Sequence, residues 1–125
     1  MIPLTFISLR NESQIRVIKN GNVSDIELYR SDNGGKTYRT ITYKVTVDLE
    51  KGSYWITVQK GNMISFWFKE QDKFINDNNN YYQFQLKGAF NLTGNLLSLN
   101  NFAETMGICN FSKLFLNCSG LSRFD

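Results

Sequence analysis

MISFWFK, residues 63–69, is the most apolar stretch of the chain, and how it is read decides the fold. Ile64, Phe66 and Phe68 fall on one side of an extended backbone, and Trp67 falls on the other. A period of two is the pattern of a strand with one buried face. Turn residues bracket the run: Lys60-Gly61-Asn62 before it, and a charged, Asn-rich loop over Glu70–Asn80 after it.

The same alternation continues outward in both directions. Upstream, the sequence predicts strands over Leu4–Leu9, Gln14–Lys19, Asp25–Arg30, Lys36–Lys44 and Tyr54–Gln59. Asn20-Gly21 carries the chemistry of a two-residue hairpin turn. Downstream, Tyr82, Phe84 and Leu86 alternate within Tyr81–Lys87. Phe90, Leu92 and Leu96 extend the pattern past Gly88 and Gly94. After Leu99 the spacing becomes helical, over Asn100–Met106 and Phe111–Leu116, with Phe111, Leu114 and Phe115 at i, i+3 and i+4. Asn110 or Ser112 could cap that short helix, and Gly120 is placed to end it.

Composition points the same way. The 125 residues include ten Phe, six Tyr and two Trp, side chains that favour strands. The expectation is a mainly β protein, an antiparallel, immunoglobulin-like β-sandwich of about seven or eight strands with a short C-terminal helical tail. The β-domain spans 1–99. The tail, 100–125, packs on it or on a partner chain.

One motif tests whether there is an active site to look for. Ser31–Tyr38, SDNGGKTY, nearly spells the Asp-box of sialidases, Ser-x-Asp-x-Gly-x-x-Trp. Asn33 stands for the Asp and Tyr38 for the Trp. The Asp-box is a hairpin device that sialidases repeat, and no second copy is present here. A sialidase also needs an arginine cluster, but Arg10, Arg16, Arg30, Arg39 and Arg123 are dispersed. The motif therefore reads as a structural turn.

Other chemistry is equally thin. The chain has no His, which removes the usual general base and the commonest metal ligand. Asp48, Glu50, Glu70 and Asp72 lie at turns or strand ends, where solvated carboxylates are ordinary. Asp72, Asp77 and the neighbouring Asn residues supply oxygens for calcium, without the spacing of an EF-hand. Cys109 and Cys118 could form a disulfide or could both be small core residues. No Walker loop, GxGxxG or Gly-x-Ser-x-Gly is present. The reading is a non-enzyme with no catalytic residues, metal or cofactor.

The net charge of +3 is mild and spread along the chain. Lys36, Arg39 and Lys44 alternate with Tyr38 and Tyr43 as a solvated strand face, not as a dense nucleic-acid patch. No apolar run reaches the length of a membrane span. Asn-x-Ser/Thr sequons at Asn11, Asn22, Asn91, Asn110 and Asn117 follow from the abundance of Asn. MIPLTFISLR lacks the features of a signal peptide.

Two stretches carry a family resemblance. One is Asn80-Tyr81-Tyr82-Gln83-Phe84 followed by Lys87–Leu99, KGAFNLTGNLLSL. The other is Phe111–Leu121, FSKLFLNCSGL. Together they resemble the N-terminal β-domain and first repeat of BspA-like leucine-rich-repeat proteins. Similar modules occur in phages of gut Bacteroidetes. The resemblance implies inward core roles for Phe111, Leu114, Phe115, Cys118 and Leu121. It departs from the family in holding one repeat where the family continues with many.

The resemblance and the leaderless start imply a structural or attachment module of a phage virion, a capsid-decorating or tail-associated protein assembled in the host cytoplasm. Its partners would be other virion or surface proteins, or further copies of itself. The alternatives are a fragment of a bacterial cell-surface adhesin and a carbohydrate-binding module. For the last, Trp55, Trp67, Tyr54 and Tyr81 are the candidate ligand-binding residues, because alternation sets Trp55 and Trp67 opposite Ile56 and Phe66.

Overall fold

A computed structural model describes residues 2–22, 27–33, 39–42, 55–68, 75–101, 114–115, 118 and 120–124. The described strands are β1 (Leu4–Ser8), β2 (Ser13–Asn20), β3 (Glu27–Ser31), β4 (Arg39–Thr42), β5 (Ile56–Val58), β6 (Met63–Trp67), β7 (Tyr81–Lys87), β8 (Phe90–Thr93) and β9 (Leu121–Phe124). They form a six-stranded sheet in the order β4-β3-β6-β1-β8-β9 and a three-stranded sheet in the order β5-β2-β7. The protein is a mainly β sandwich.

The central part is a stack of β-arches. β1 in the large sheet leads into β2 in the small one. On either side, β5 leads to β6 and β7 leads to β8, both crossing the opposite way. The β1–β2 arch sits between the other two, antiparallel to both in each sheet. The turn at Lys60-Gly61-Asn62 therefore joins two sheets and does not close a hairpin. The same is true of Asn20-Gly21, which connects strands of different sheets. Its local chemistry makes a turn, with Gly21 at φ 75°, but does not decide where the next strand pairs. Among the described residues, β3 and β4 alone are consecutive strands paired antiparallel within one sheet, and SDNGGKTY starts at the end of β3 and runs toward β4.

The arch corners are tied together by polar groups. Ser8 N donates to Asn62 O (2.9 Å), Gly61 N to Ser8 O (2.8 Å) and Leu9 N to Ala89 O (2.9 Å). Glu12, at φ 58°, exchanges hydrogen bonds with the Gln59 side chain through its backbone N–H and its carboxylate. Gly88, at φ 92°, packs so closely that a Cβ there would meet Ser13 Oγ at 2.5 Å. A side chain would be strained at that φ and would force the corners apart.

The core is aromatic. Phe6 and Phe66 of the large sheet reach Phe84 of the small sheet at centroid distances of 4.9 and 5.1 Å. Phe6 meets Phe66 and Phe90 edge-on, at interplanar angles of 86° and 89°. Burying each ring contributes about 1.5–3 kcal/mol, so this cluster dominates the adhesion of the two sheets. A 3-10 turn, Leu96–Asn100, plugs one end, with Asn95 Oδ1 accepting from Leu97 N as its cap. There Ser98 Oγ accepts from Leu4 N (2.9 Å) and donates to Phe66 O (2.8 Å), bridging β1 and β6.

The C-terminal region differs from expectation. Its last described residues form a strand, β9, parallel to β8 at the edge of the large sheet. The expected helical segments, Asn100–Met106 and Phe111–Leu116, lie mostly outside the described residues. What is described belongs to the same core: Leu114 is buried, and Phe115, Cys118 and Leu121 pack against it. Phe115 stacks on Phe84 at 5.7 Å.

This tail also protects the open side of β7. Phe84 N donates to Leu114 O (2.8 Å), and the Cys118 thiol donates to Phe84 O (3.1 Å). One step along, the buried Asn76 amide imitates a strand: Oδ1 accepts from Tyr82 N and Nδ2 donates to Tyr82 O. An edge whose backbone groups are taken in this way does not recruit another strand.

Candidate functional site

Among the described residues, the candidates singled out from sequence, Trp55, Trp67 and Tyr81, do not converge. Trp55 precedes β5 and faces outward from the small sheet, while Trp67 ends β6 and faces outward from the large one. The alternation argument holds for both, since Phe66 is in the core and Ile56 packs on it. The sheet order then places the two indoles on opposite outer surfaces. Tyr81 shares the small sheet's outer face with Trp55, but at the other end, opposite Asn20. Tyr54 lies outside the described residues.

Trp67 is held by its own chain. Its Nε1 donates to Asn101 Oδ1 at 3.0 Å, and its ring lies 5.1 Å from Tyr29, its cross-strand partner. The neighbouring row on the same face carries hydroxyls, Ser31, Ser65, Thr5 and Thr93, from four adjacent strands. Thr5 donates to Pro3 O (2.8 Å), so its 2.7 Å contact with Ser65 is donated by Ser65. Ser65, Ser31 and Thr5 are buried. Small hydroxyl residues beside bulky ones are shadowed, and their polar atoms are satisfied internally.

Trp55 has a different setting. Arg16 Cζ and Lys87 Nζ each lie 4.4 Å from the centroid of its ring. The register explains the meeting: Gln14 on the central strand pairs with Thr57 on one side and Lys87 on the other, and Arg16 pairs with Gln85. Side chains from all three strands therefore reach one another above β2. Arg16 Nε donates to Gln85 Oε1 at 2.7 Å, which fixes the guanidinium plane. Gln14 Nε2 donates to Thr57 Oγ1 at 3.3 Å. Trp55 is half-buried and Lys87 exposed, whereas Ile18 and Gln83 further along the same face are buried. The open half of this face is thus an indole carrying two cations.

Arg16 and Lys87 were not among the sequence candidates. Alternation put both outward, but only the β2–β7 register brings them to Trp55.

Among the described residues, the remaining sequence candidates bring no second cluster together. In the SDNGGKTY turn, Ser31 Oγ donates to Asn33 Oδ1 (2.7 Å), a turn-fixing contact, and 34–38 lie outside the described residues. Asp48, Glu50, Glu70 and Asp72 also lie outside them. Asp77 Oδ1 accepts from the backbone N–H of Asn79 and Asn80, which organises the loop before β7. Among the described residues no cluster suits a metal ion, and no helix is long and apolar enough to cross a membrane. Cys118 is a free thiol that burial pushes up to about 11 from the usual 9.0, the signature of an inert packing cysteine. Cys109 lies outside the described residues.

No family model matches the chain, and no curated protein or solved structure matches it.

Proposed function

We propose that this protein is a non-enzymatic attachment module, which joins a larger assembly through protein–protein contacts on the outer face of its small sheet. The observation behind this reading is the Trp55 cluster. Trp and Arg are the side chains most enriched at the energetic centres of interfaces, and here they are held together on the outer face of the small sheet. The resemblance to modules of Bacteroidetes phages makes a virion the proposed assembly, with the protein decorating the capsid or associating with the tail.

The test is mass by light scattering on the purified chain, alone and mixed with capsid or tail proteins of such a phage. A defined oligomer or a co-eluting complex that Trp55→Ala abolishes is the expected result. A monomer that no virion protein captures overturns the virion assignment.

A second reading, a carbohydrate-binding module, is favoured by the partial exposure of Trp55 alone. A glycan array is its direct test: silence there removes it, and a hit lost in Trp55→Ala would replace the first reading.

A further inference from the structure

We propose that the Trp55 cluster is a carboxylate-recognition site, and that its occupant is an acidic segment of a partner protein. The inference rests on the attachment reading and adds the chemistry of the partner.

The groups that converge here are donors. Lys87 has three N–H bonds and, among the described residues, no carboxylate beside it. Its contact is the Trp55 ring. Arg16 commits Nε to Gln85, which leaves the far edge of the guanidinium for a two-point contact with a carboxylate. The indole N–H of Trp55 meets no acceptor among the described residues. On the same face, Gln14 Nε2 donates to Thr57 Oγ1.

Two like charges gathered on one ring repel, and the quadrupole of a single indole offsets only part of that. An incoming anion relieves the repulsion and satisfies the idle donors together. The cations also decide the class of ligand. A sugar binds an indole by stacking on a free face, and this ring already carries both cations at 4.4 Å. A run of Asp and Glu needs no free ring face. Charge complementarity therefore excludes a neutral glycan, and the occupied ring removes the stacking contact by which an acidic glycan would gain over an acidic polypeptide.

The experiment uses the full chain and defined probes: poly-L-glutamate, polygalacturonate as a carboxylate glycan, and dextran as a neutral control. Binding is followed by tryptophan fluorescence at low salt. Arg16→Gln with Lys87→Gln removes the site. Arg10→Gln with Lys60→Gln, at the exposed arch corner, removes the same charge elsewhere. Circular dichroism confirms that both variants fold.

Poly-L-glutamate should bind, and the site variant should weaken it at least ~10-fold, as loss of charge-assisted hydrogen bonds requires. The corner variant should change it less than about 2-fold. Equal weakening by both variants, no binding of poly-L-glutamate, or tighter binding of polygalacturonate would each overturn the proposal. Its failure is separable from failure of the attachment reading. Capture by virion proteins that survives Arg16→Gln/Lys87→Gln sinks the carboxylate site alone. Site-dependent poly-L-glutamate binding without any capture supports the site and sinks the virion assignment.

Discussion

The chain has two tryptophans, and each sits on the outward side of a strand in a different sheet. Alternation treats them alike, yet their surroundings are opposite. Trp67 has its N–H bonded to Asn101, its ring against Tyr29, and a row of buried hydroxyls beside it. Trp55 has two cations on its ring and no acceptor for its N–H among the described residues. The difference teaches that facing outward does not by itself set a residue apart. What separates the two is whether the described residues satisfy the polar end of the side chain. Trp67 belongs to the scaffold, and Trp55 is the residue that the proposed attachment site is built on.

The largest expected effect breaks the comparison if it fails. Trp67→Ala should cost about 2–3 kcal/mol in urea unfolding, somewhat below the range for a fully buried Trp, because Trp67 is half-buried. Trp55→Ala should cost less than about 1 kcal/mol, since it opens no core cavity. Equal costs would erase the distinction between scaffold and contact face.

A smaller effect isolates the polar anchor of Trp67. Asn101 sits at φ 50° as the cap of the 3-10 turn, a backbone conformation that Gly accepts without strain. Asn101→Gly therefore deletes the acceptor while keeping the backbone. A loss of about 1 kcal/mol, the net worth of one hydrogen bond, is expected in thermal or urea melts. An unchanged midpoint would mean that ring packing alone holds Trp67.

The sequence made some of this legible and hid the rest for physical reasons. MISFWFK and Tyr81–Lys87 announce their strands because one face is continuously apolar, and β7 spans the expected residues. Asn20-Gly21 misled, because turn chemistry is local whereas the choice of sheet depends on which arch stacks beside which. The C-terminal strand was hidden because Phe111, Leu114 and Phe115 share helical spacing, while β9 is short and pairs in parallel with β8. The outward placement of Trp55 and Trp67 was readable from their neighbours Ile56 and Phe66. Their separation onto opposite surfaces was not, because it follows from strand order. Arg16 and Lys87 are far apart in sequence, and only the register brings them to one ring.

The smallest effect sharpens the comparison most, because it asks what the Trp55 cluster is worth to the protein itself. If the two cations were there to stabilise the fold, each would be strongly coupled to the ring. A double-mutant cycle of Arg16→Gln with Trp55→Ala, and another of Lys87→Gln with Trp55→Ala, measures that coupling directly. Partly exposed cation–π pairs give about 0.5–1 kcal/mol, and mutual repulsion between the cations subtracts from each. The expected couplings are therefore about 0.5 kcal/mol or less. Removing one cation should raise the coupling of the other, because the repulsion goes with it. That sign is the informative part. A cluster kept for stability loses when either cation is removed. A cluster kept for a partner tolerates the loss in the free protein and shows its cost only when the acidic ligand is added.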